Sequence, residues 1–290
     1  MSGLDLYTRT ATDAASRVIT AYSTSFGMAA NLLPADRRRG ITNIYALVRI
    51  ADEIVDGTAE EAGLTADQRR KVLDGLEQEV LSGTAHGFSA NPVVHAFAVT
   101  ARSAGIETPL IGSFFDSMRR DLTPVSRLSR AEYEEYVYGS AEVVGLMCLR
   151  VFLWGDAMDA EQLEQVEHGA ARLGAAFQKI NFLRDLGDDA AQLGRAYFPG
   201  TVPGQLSDRD KENILDEIDE DLAAAMIAIP QLPPGPRRAT LLAARLFEDV
   251  AARLRRTPTD EILQHRVSVP RHRKVYILLK ALRPVSFGGL

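Results

Sequence analysis

Apolar residues recur in this chain at three- and four-residue steps, as in Ile41, Ile44, Tyr45, Leu47, Val48 and Ala51, and runs alternating apolar with polar are nearly absent. That period puts one buried stripe on each helical segment and leaves no strand material for a sheet. The spacing predicts an all-α chain with helices over 8–31, 35–57, 66–82, 91–104, 108–121, 130–155, 159–190, 208–229, 236–256 and 269–282. Start signals agree: Pro34 suits a first helical turn, and Thr65 with Gln68 and Ser129 with Glu132 have capping-box spacing. Asn91-Pro92, Gly105, Thr123-Pro124, the segment 194–204 and the proline-rich 230–236 mark connections. No linker, repeat or composition shift divides the chain, so residues 1–290 read as a single domain.

With 33 Lys+Arg against 39 Asp+Glu, the net charge of −6 argues against a nucleic-acid binder, which would carry a basic stripe. One cysteine, Cys148, can form neither an internal disulfide nor a cysteine metal cage. Met1 to Tyr7 lacks a basic region followed by an apolar run, and the most apolar stretch, Val143 to Gly155, is interrupted by Arg150 and falls short of the ~20 residues that cross a bilayer. A cytoplasmic protein without a signal peptide or membrane-spanning helix is expected. The run Asp216, Glu217, Asp219, Glu220, Asp221 has no cationic company in sequence and is expected to be solvated surface. Gly169, Gly174 and neighbouring alanines in 159–190 suggest close helix packing or a nearby ligand. The five histidines show no metal-ligand spacing.

Two polar stripes differ from that surface run. Tyr45, Arg49, Asp52 and Asp56 follow at steps of four, three and four, and Gln178, Asn181, Asp185 and Asp189 at steps of three, four and four, so each set shares one helix face. Both are embedded in apolar residues, among them Leu47, Val48 and Ile54 in one and Phe177, Ile180 and Leu183 in the other, which points the carboxylates at an interior cleft. Desolvated like charges need a cation. Mg²⁺, or Mn²⁺, suits oxygen donors and is held by one or two carboxylates together with substrate phosphate oxygens, so two aspartate pairs suggest a metal–diphosphate clamp. Arg49 and Arg184 can contact phosphate through the guanidinium fork; equally, they can form intrahelical ion pairs, Arg49 with Asp52 and Arg184 with Asp188.

These residues resemble the squalene/phytoene synthase family of head-to-head prenyl transferases, and the resemblance covers most of the chain. It begins at Tyr22-Ser-Thr-Ser-Phe26, passes through Leu33-Pro34 and Tyr45 to Asp56-Gly57, and resumes at Tyr136 to Gly145. It is strongest over Gly174 to Asp189, followed by Gly194-Arg195-Ala-Tyr197-Phe-Pro199. The resemblance implies an isoprenoid-synthase-type helical bundle around a central apolar cavity. It assigns metal binding to Asp52, Asp56, Asp185 and Asp189, with Asn181 beside them. Ser23, Ser25, Arg49, Arg184 and Arg266 correspond to diphosphate-contacting positions, and Arg195 and Tyr197 to substrate-binding ones. Phe26, Tyr45, Tyr138, Gln178 and Asn181 correspond to positions lining the reaction centre, where Tyr45 and Tyr138 are candidates for shaping or deprotonating a carbocation. Glu53 stands where many members carry aspartate, Glu142 where many carry glycine, and Phe247 where a tyrosine is common.

The implied reaction is head-to-head condensation of two prenyl diphosphates through a cyclopropyl diphosphate. Two geranylgeranyl diphosphates giving phytoene are favoured, since Asp52–Gly57 and Asp185–Pro199 look most like phytoene synthases. A C30 squalene or dehydrosqualene synthase using farnesyl diphosphate is the alternative, and a terpene cyclase-like enzyme or a silent helical binding protein are more distant ones. NADPH is not expected, as no Gly-x-Gly-x-x-Gly fingerprint is present. Arg271 to Lys274 preceding Val275, Ile277, Leu278 and Leu279 reads either as a peripheral membrane contact or as a core-packed final helix with a basic end.

Overall fold

The computed structural model describes residues 2–23, 25–123, 128–193, 197–202, 205–267 and 277; of residues 25, 26 and 188–193 it describes the backbone alone. The helices are α1 (Gly3–Tyr22), α2 (Ser25–Ala30), α3 (Ala35–Val55), α4 (Thr58–Glu61), α5 (Ala66–His86), α6 (Pro92–Ala104) and α7 (Thr108–Asp121) in the first half of the chain. The second half holds α8 (Arg130–Val137), a π turn (Tyr138–Glu142), α9 (Val143–Leu153), α10 (Ala160–Leu193), α11 (Asp208–Ala228), α12 (Pro234–Arg256) and α13 (Thr259–Ile262). The only pairing of extended backbone among the described residues is one isolated bridge, Val202 with Gln205. The all-α expectation holds.

Local chemistry sets most boundaries. Thr65 and Ser129 cap α5 and α8 through reciprocal bonds with Gln68 and Glu132, and Asn91 caps α6 with Pro92 in its first turn. Helix α5 runs past the expected residue 82 to His86 and stops at Gly87, whose left-handed φ of 79° frees the chain to turn. The expected helix 8–31 is instead two, because Ser23 closes α1 in extended conformation (φ −139°). Ser23-Thr24-Ser25 offers side-chain hydroxyls that compete for backbone partners, which apolar periodicity cannot register. Short α4 was not anticipated either. The expected helix 269–282 lies outside the described residues except for Ile277, which is buried.

Two cores form. One gathers α1, α3, α5, α6, α7 and α9 around Ile44, Leu73, Phe97, Phe114, Phe115 and Met147. The other gathers α8, α10, α11 and α12 around Tyr133, Ile180, Leu183, Leu215 and Leu254. Each such fully buried side chain contributes about 1.5–3 kcal/mol. Between the cores runs a cavity of about 310 Å³, walled by α2, α3, the π turn, α9, α10, α11 and α12.

The expected helix 130–155 is a single rod containing the π turn, in which the Val143 N–H reaches back five residues to the Tyr138 carbonyl. By length and hydropathy alone residues 130–153 could cross a membrane. In this fold the rod is instead pressed into the bundle: a Cβ on Gly139 would sit 2.5 Å from the Ser113 carbonyl of α7, and one on Gly145 2.4 Å from the Ala170 carbonyl of α10. Helix α10 answers with Gly174, where a Cβ would meet the Ala141 carbonyl at 2.5 Å. Of the two explanations for glycine here, close helix packing is the one observed.

The acidic run corrects an expectation. Asp221 is 1% exposed, not solvated. Asp221 and Glu217 lie one turn apart on α11, facing α10, where Arg172 and Lys179 pair with Asp221 and Lys179 also reaches Glu217. Their cationic partners are remote in sequence. Asp216 and Asp219 are exposed, held by Arg255 of α12 at 3.0 Å each.

Candidate active site

The α3 stripe forms one flank of the cavity mouth. Asp52 is partly buried and lines the cavity, whereas Asp56, one turn on, caps the helix at the exposed end. Burial pushes the Asp52 carboxyl well above the usual carboxylate range, the Asp56 charge adds to this, and Arg49 only partly opposes it.

Arg49 does pair within its own helix, but with Glu53 rather than Asp52: its Nε donates to the Glu53 carboxylate at 2.7 Å. Its guanidinium lies 4.4 Å from the centre of the Tyr22 ring. Burial works against the charged form, yet the Glu53 hydrogen bond and the Asp52 charge carry its pKa above the ordinary value. Glu53, the departure from the family pattern, thus orients the arginine and also accepts from Thr58. Tyr45 is half-buried; burial raises its pKa, and its hydroxyl shares a hydrogen bond with Ser23 at the end of α1. Ser25 and Phe26 sit on α2, whose backbone alone is described there.

Helix α10 supplies the opposite flank. Gln178 and Asn181 line the same cavity as Asp52, so the two stripes converge. Asp185, one turn beyond Asn181, takes Arg184 at 2.9 and 2.5 Å and Arg266 at 2.8 Å. Arg184 is therefore paired with its neighbour, and Arg266, 81 positions away in sequence, is delivered to the acidic stripe. The side chains of Asp188 and Asp189, and Arg195 altogether, lie outside the described residues. Among the described residues no three of His, Cys, Asp or Glu converge as a ready-made metal cage.

None of the three candidate tyrosines, Tyr45, Tyr138 and Tyr197, is among the residues that line the cavity. Tyr138, first residue of the π turn, is 40% exposed. Tyr197 is buried, its ring stacked on Phe182 at 4.0 Å, with Tyr136 parallel on the same aromatic group. Glu142 turns away from the cavity: it reaches Arg172 at 3.7 Å, and burial raises its pKa with Arg172 opposing. Phe247 backs the cavity wall, stacked on the lining residue Phe177 at 3.8 Å.

The sequence assigned no role in the site to Tyr22, Glu53 or Asp121. Asp121, at the end of α7, accepts from the Tyr136 hydroxyl at 2.6 Å and adds its charge to the field on Asp52. Tyr22 and Glu53 were detectable, standing beside Ser23 and Asp52; nothing local marks Asp121.

The rest of the cavity is mostly apolar; the hydroxyls of Ser140 and Thr240, each buried without a hydrogen-bond partner among the described residues, interrupt it. Below Asp52, Gln178 and Asn181 it is lined by Val48, Val144, Cys148, Phe177, Leu173, Ala170 and Gly169, and it ends at Leu149, Val166 and Leu232, which form a cluster of their own. Along α10 the fifteen residues from Asn181 to Val166 correspond to a depth of about 22 Å. Acid and arginine at one end, and a dry channel behind, can bind a phosphorylated head and a long hydrocarbon tail.

The squalene/phytoene synthase pattern matches residues 19–273. The chain belongs to the squalene/phytoene synthase family. It is accordingly a prenyltransferase of the phytoene/squalene synthase type. A 15-cis-phytoene synthase from Paracoccus sp. (strain N81106 / MBIC 01143) is 28% identical over 275 residues, spanning 90% of this chain and 87% of that protein. A phytoene synthase from Pseudescherichia vulneris is 26% identical, spanning 84% of this chain and 82% of its own. In fold the chain is similar to a dehydrosqualene synthase crystallised with ligand, with a TM-score of 0.76 at 23% identity over 94% of this chain and 96% of that one. A squalene synthase from Alicyclobacillus acidocaldarius superposes with a TM-score of 0.73 at 20% identity over 87% and 95%. The all-α isoprenoid-synthase fold and head-to-head prenyl diphosphate chemistry are those of this family.

Proposed function

We propose that this prenyltransferase joins two molecules of geranylgeranyl diphosphate into phytoene through a cyclopropyl diphosphate, with loss of both diphosphates and without NADPH. The chain length is supported by the separation of two cavity-lining residues on α10, Asn181 and Val166, about 22 Å at 1.5 Å of helix rise per residue. An extended four-isoprene chain measures roughly 20 Å and a three-isoprene chain roughly 15 Å at about 1.25 Å per bond. The deeper tail fills this channel, and the shorter one leaves its floor empty. The kinship with phytoene synthases of Paracoccus and Pseudescherichia supports the same product.

The donor set suits Mg²⁺ or Mn²⁺: Asp52 offers a buried carboxyl whose ionised form burial disfavours and a cation would restore, and Asn181 lines the same cavity with an amide oxygen. Asp52, Asp56, Asn181, Asp185 and Asp189 would hold the ions, whose chemistry there is to neutralise the leaving diphosphate. Arg49, Arg184 and Arg266 bind its oxygens, exchanging their carboxylate partners for phosphate. As the allylic C–O bond breaks, its electron pair departs with diphosphate, and the fixed positive charges at the mouth meet charge that develops only then. Val48, Val144 and Phe177 exclude water from the allylic cation while the acceptor double bond attacks it. Tyr45, polarised by Ser23, stands nearest in role to a proton acceptor or orienting hydroxyl. Incubation with the C15 and C20 diphosphates, with and without NADPH, followed by mass spectrometry of the hydrocarbon, tests the proposal. A C40 triene-conjugated hydrocarbon from the C20 substrate is expected, and coupling of C15 alone would overturn it.

A further inference from the structure

Behind the wall that carries Gln178 and Asn181, α10 bears a second polar row. Lys179 is only 4% exposed, and Arg172, seven residues earlier, shares its face. Both meet Asp221 of α11, itself 1% exposed: Arg172 donates to one carboxylate oxygen, and Lys179 Nζ lies 2.9 Å from the other. Lys179 extends the chain of charges to Glu217 at 3.4 Å, and Glu217 to Arg130 of α8 at 2.6 Å. Arg172 extends it the other way, to Glu142 in the π turn at 3.7 Å.

Burying such a set costs several kcal/mol per ion, and well-packed apolar residues are commonly as stable, so stability alone does not account for it. Its placement does. The residues just before Lys179 and Glu142, namely Gln178 on one side and Ser140 and Ala141 on the other, face the cavity. The two walls touch where Gly174 meets the Ala141 carbonyl, leaving no side chain there to set their register. We infer that Asp221 is a positioning residue for the condensation: by gripping Arg172 and Lys179, and Glu142 through Arg172, it fixes the rotation of α10 against the π turn so that the reacting cation stays enclosed. This rests on the prenyl coupling proposed above.

When the register slips, water reaches the allylic cation. Its oxygen lone pair forms the new C–O bond, one proton leaves to solvent or diphosphate, and a single-chain prenyl alcohol results in place of the coupled hydrocarbon. The ratio of hydrocarbon to alcohol is independent of how much of the protein is folded. The test is to measure that ratio, kcat, KM and Tm for the full chain with Mg²⁺ and whichever prenyl diphosphate the wild type couples. The variants are Asp221→Asn and the apolar double variant Lys179→Met with Asp221→Leu. For Asp221→Asn, kcat for coupling should fall roughly 10- to 100-fold, as expected for misplacement on the ångström scale, and the hydrocarbon-to-alcohol ratio should fall about tenfold while KM changes little. The double variant should regain Tm but not the ratio. An unchanged ratio in Asp221→Asn, or recovery of both Tm and ratio in the double variant, would reduce the network to packing and overturn the inference. A wild type that couples neither substrate overturns the coupling itself, and the inference falls with it.

Discussion

Replacing Ala170 with phenylalanine should convert the channel from one that accepts twenty-carbon tails into one that accepts fifteen. Ala170 lines the cavity on α10, eleven residues before Asn181, which places it about 16 Å below the mouth. A benzyl group there leaves room for a three-isoprene chain of roughly 15 Å and none for the last unit of a four-isoprene chain. Denying that unit its apolar surroundings removes five carbons from burial, about 4 kcal/mol at ~0.8 kcal/mol per carbon. At 1.4 kcal/mol per decade this is roughly a hundred- to thousandfold in kcat/KM for geranylgeranyl diphosphate, against a change of less than about threefold for farnesyl diphosphate. Competition between the two substrates, read as the C40 to C30 ratio by mass spectrometry, measures the difference without reference to active enzyme concentration. Equal losses on both substrates would mean that the tails do not descend along α10, and an unchanged C40 preference that depth does not set chain length.

Asp52→Ala and Asp185→Ala should each abolish most turnover while leaving the far-ultraviolet dichroism nearly intact; loss of helical signal would assign these carboxylates to folding instead. His95 is buried, bonded at Nε2 to Thr8 and close to the Ser89 amide, and burial lowers its pKa below 6.5. The unfolded state then binds more protons, so the stability tied to neutral His95 is whole above pH 6.5 and declines as the pH falls below it. Thermal melts between pH 7.5 and 5 should show a steeper loss for the wild type than for His95→Gln, and parallel slopes would refute the assignment. Gly139→Ala forces a methyl group to within 2.5 Å of the Ser113 carbonyl. Such overpacking should cost about 1–3 kcal/mol and lower Tm by several degrees, and an unchanged Tm would show that α7 can yield there.

The sequence made legible whatever repeats along one helix. Apolar steps of three and four located the nine expected segments that fall on described residues, the first of them split at Ser23, and the spacing of Asp52 and Gln178 identified two faces that the fold turns to one cavity. It was silent where the partner lies on another helix. The sequence offered Asp52 to Arg49 as its intrahelical partner; the structure pairs it with Glu53, which also accepts from Thr58, and sets its guanidinium over the Tyr22 ring. Asp121 has no periodic company and becomes meaningful because α7 ends beside α3 and α8. Asp221 was misread for the same reason, since its cations stand 49 and 42 positions earlier. The π turn was likewise invisible: residues 138–142 have ordinary helical chemistry, and the extra residue is accommodated where Gly139 packs against α7.

The two acidic systems that flank α10 illustrate why composition could not separate them. At the mouth, Asp52 is surrounded by more negative than positive charge, and its carboxyl is driven toward the neutral form. On the outer side Asp221 is more deeply buried, yet Arg172 and Lys179 form ion pairs with it from the same helix that carries Asp185. Helix α10 sorts its neighbours by face: on one, Asp221 is enclosed by Arg172 and Lys179; on the other, Asp185 is held by Arg184 and Arg266 while Arg49 only partly opposes the burial of Asp52. The difference follows from where Arg172 and Lys179 fall in a period of 3.6 residues relative to Gln178, Asn181 and Asp185. Adding a single cation to the cavity face, as in Gln178→Lys, should thus weaken Mg²⁺ dependence of any residual turnover and leave the Asp221 network in place. A metal requirement unchanged by that substitution would mean that the charge imbalance at Asp52 is not what recruits the ion.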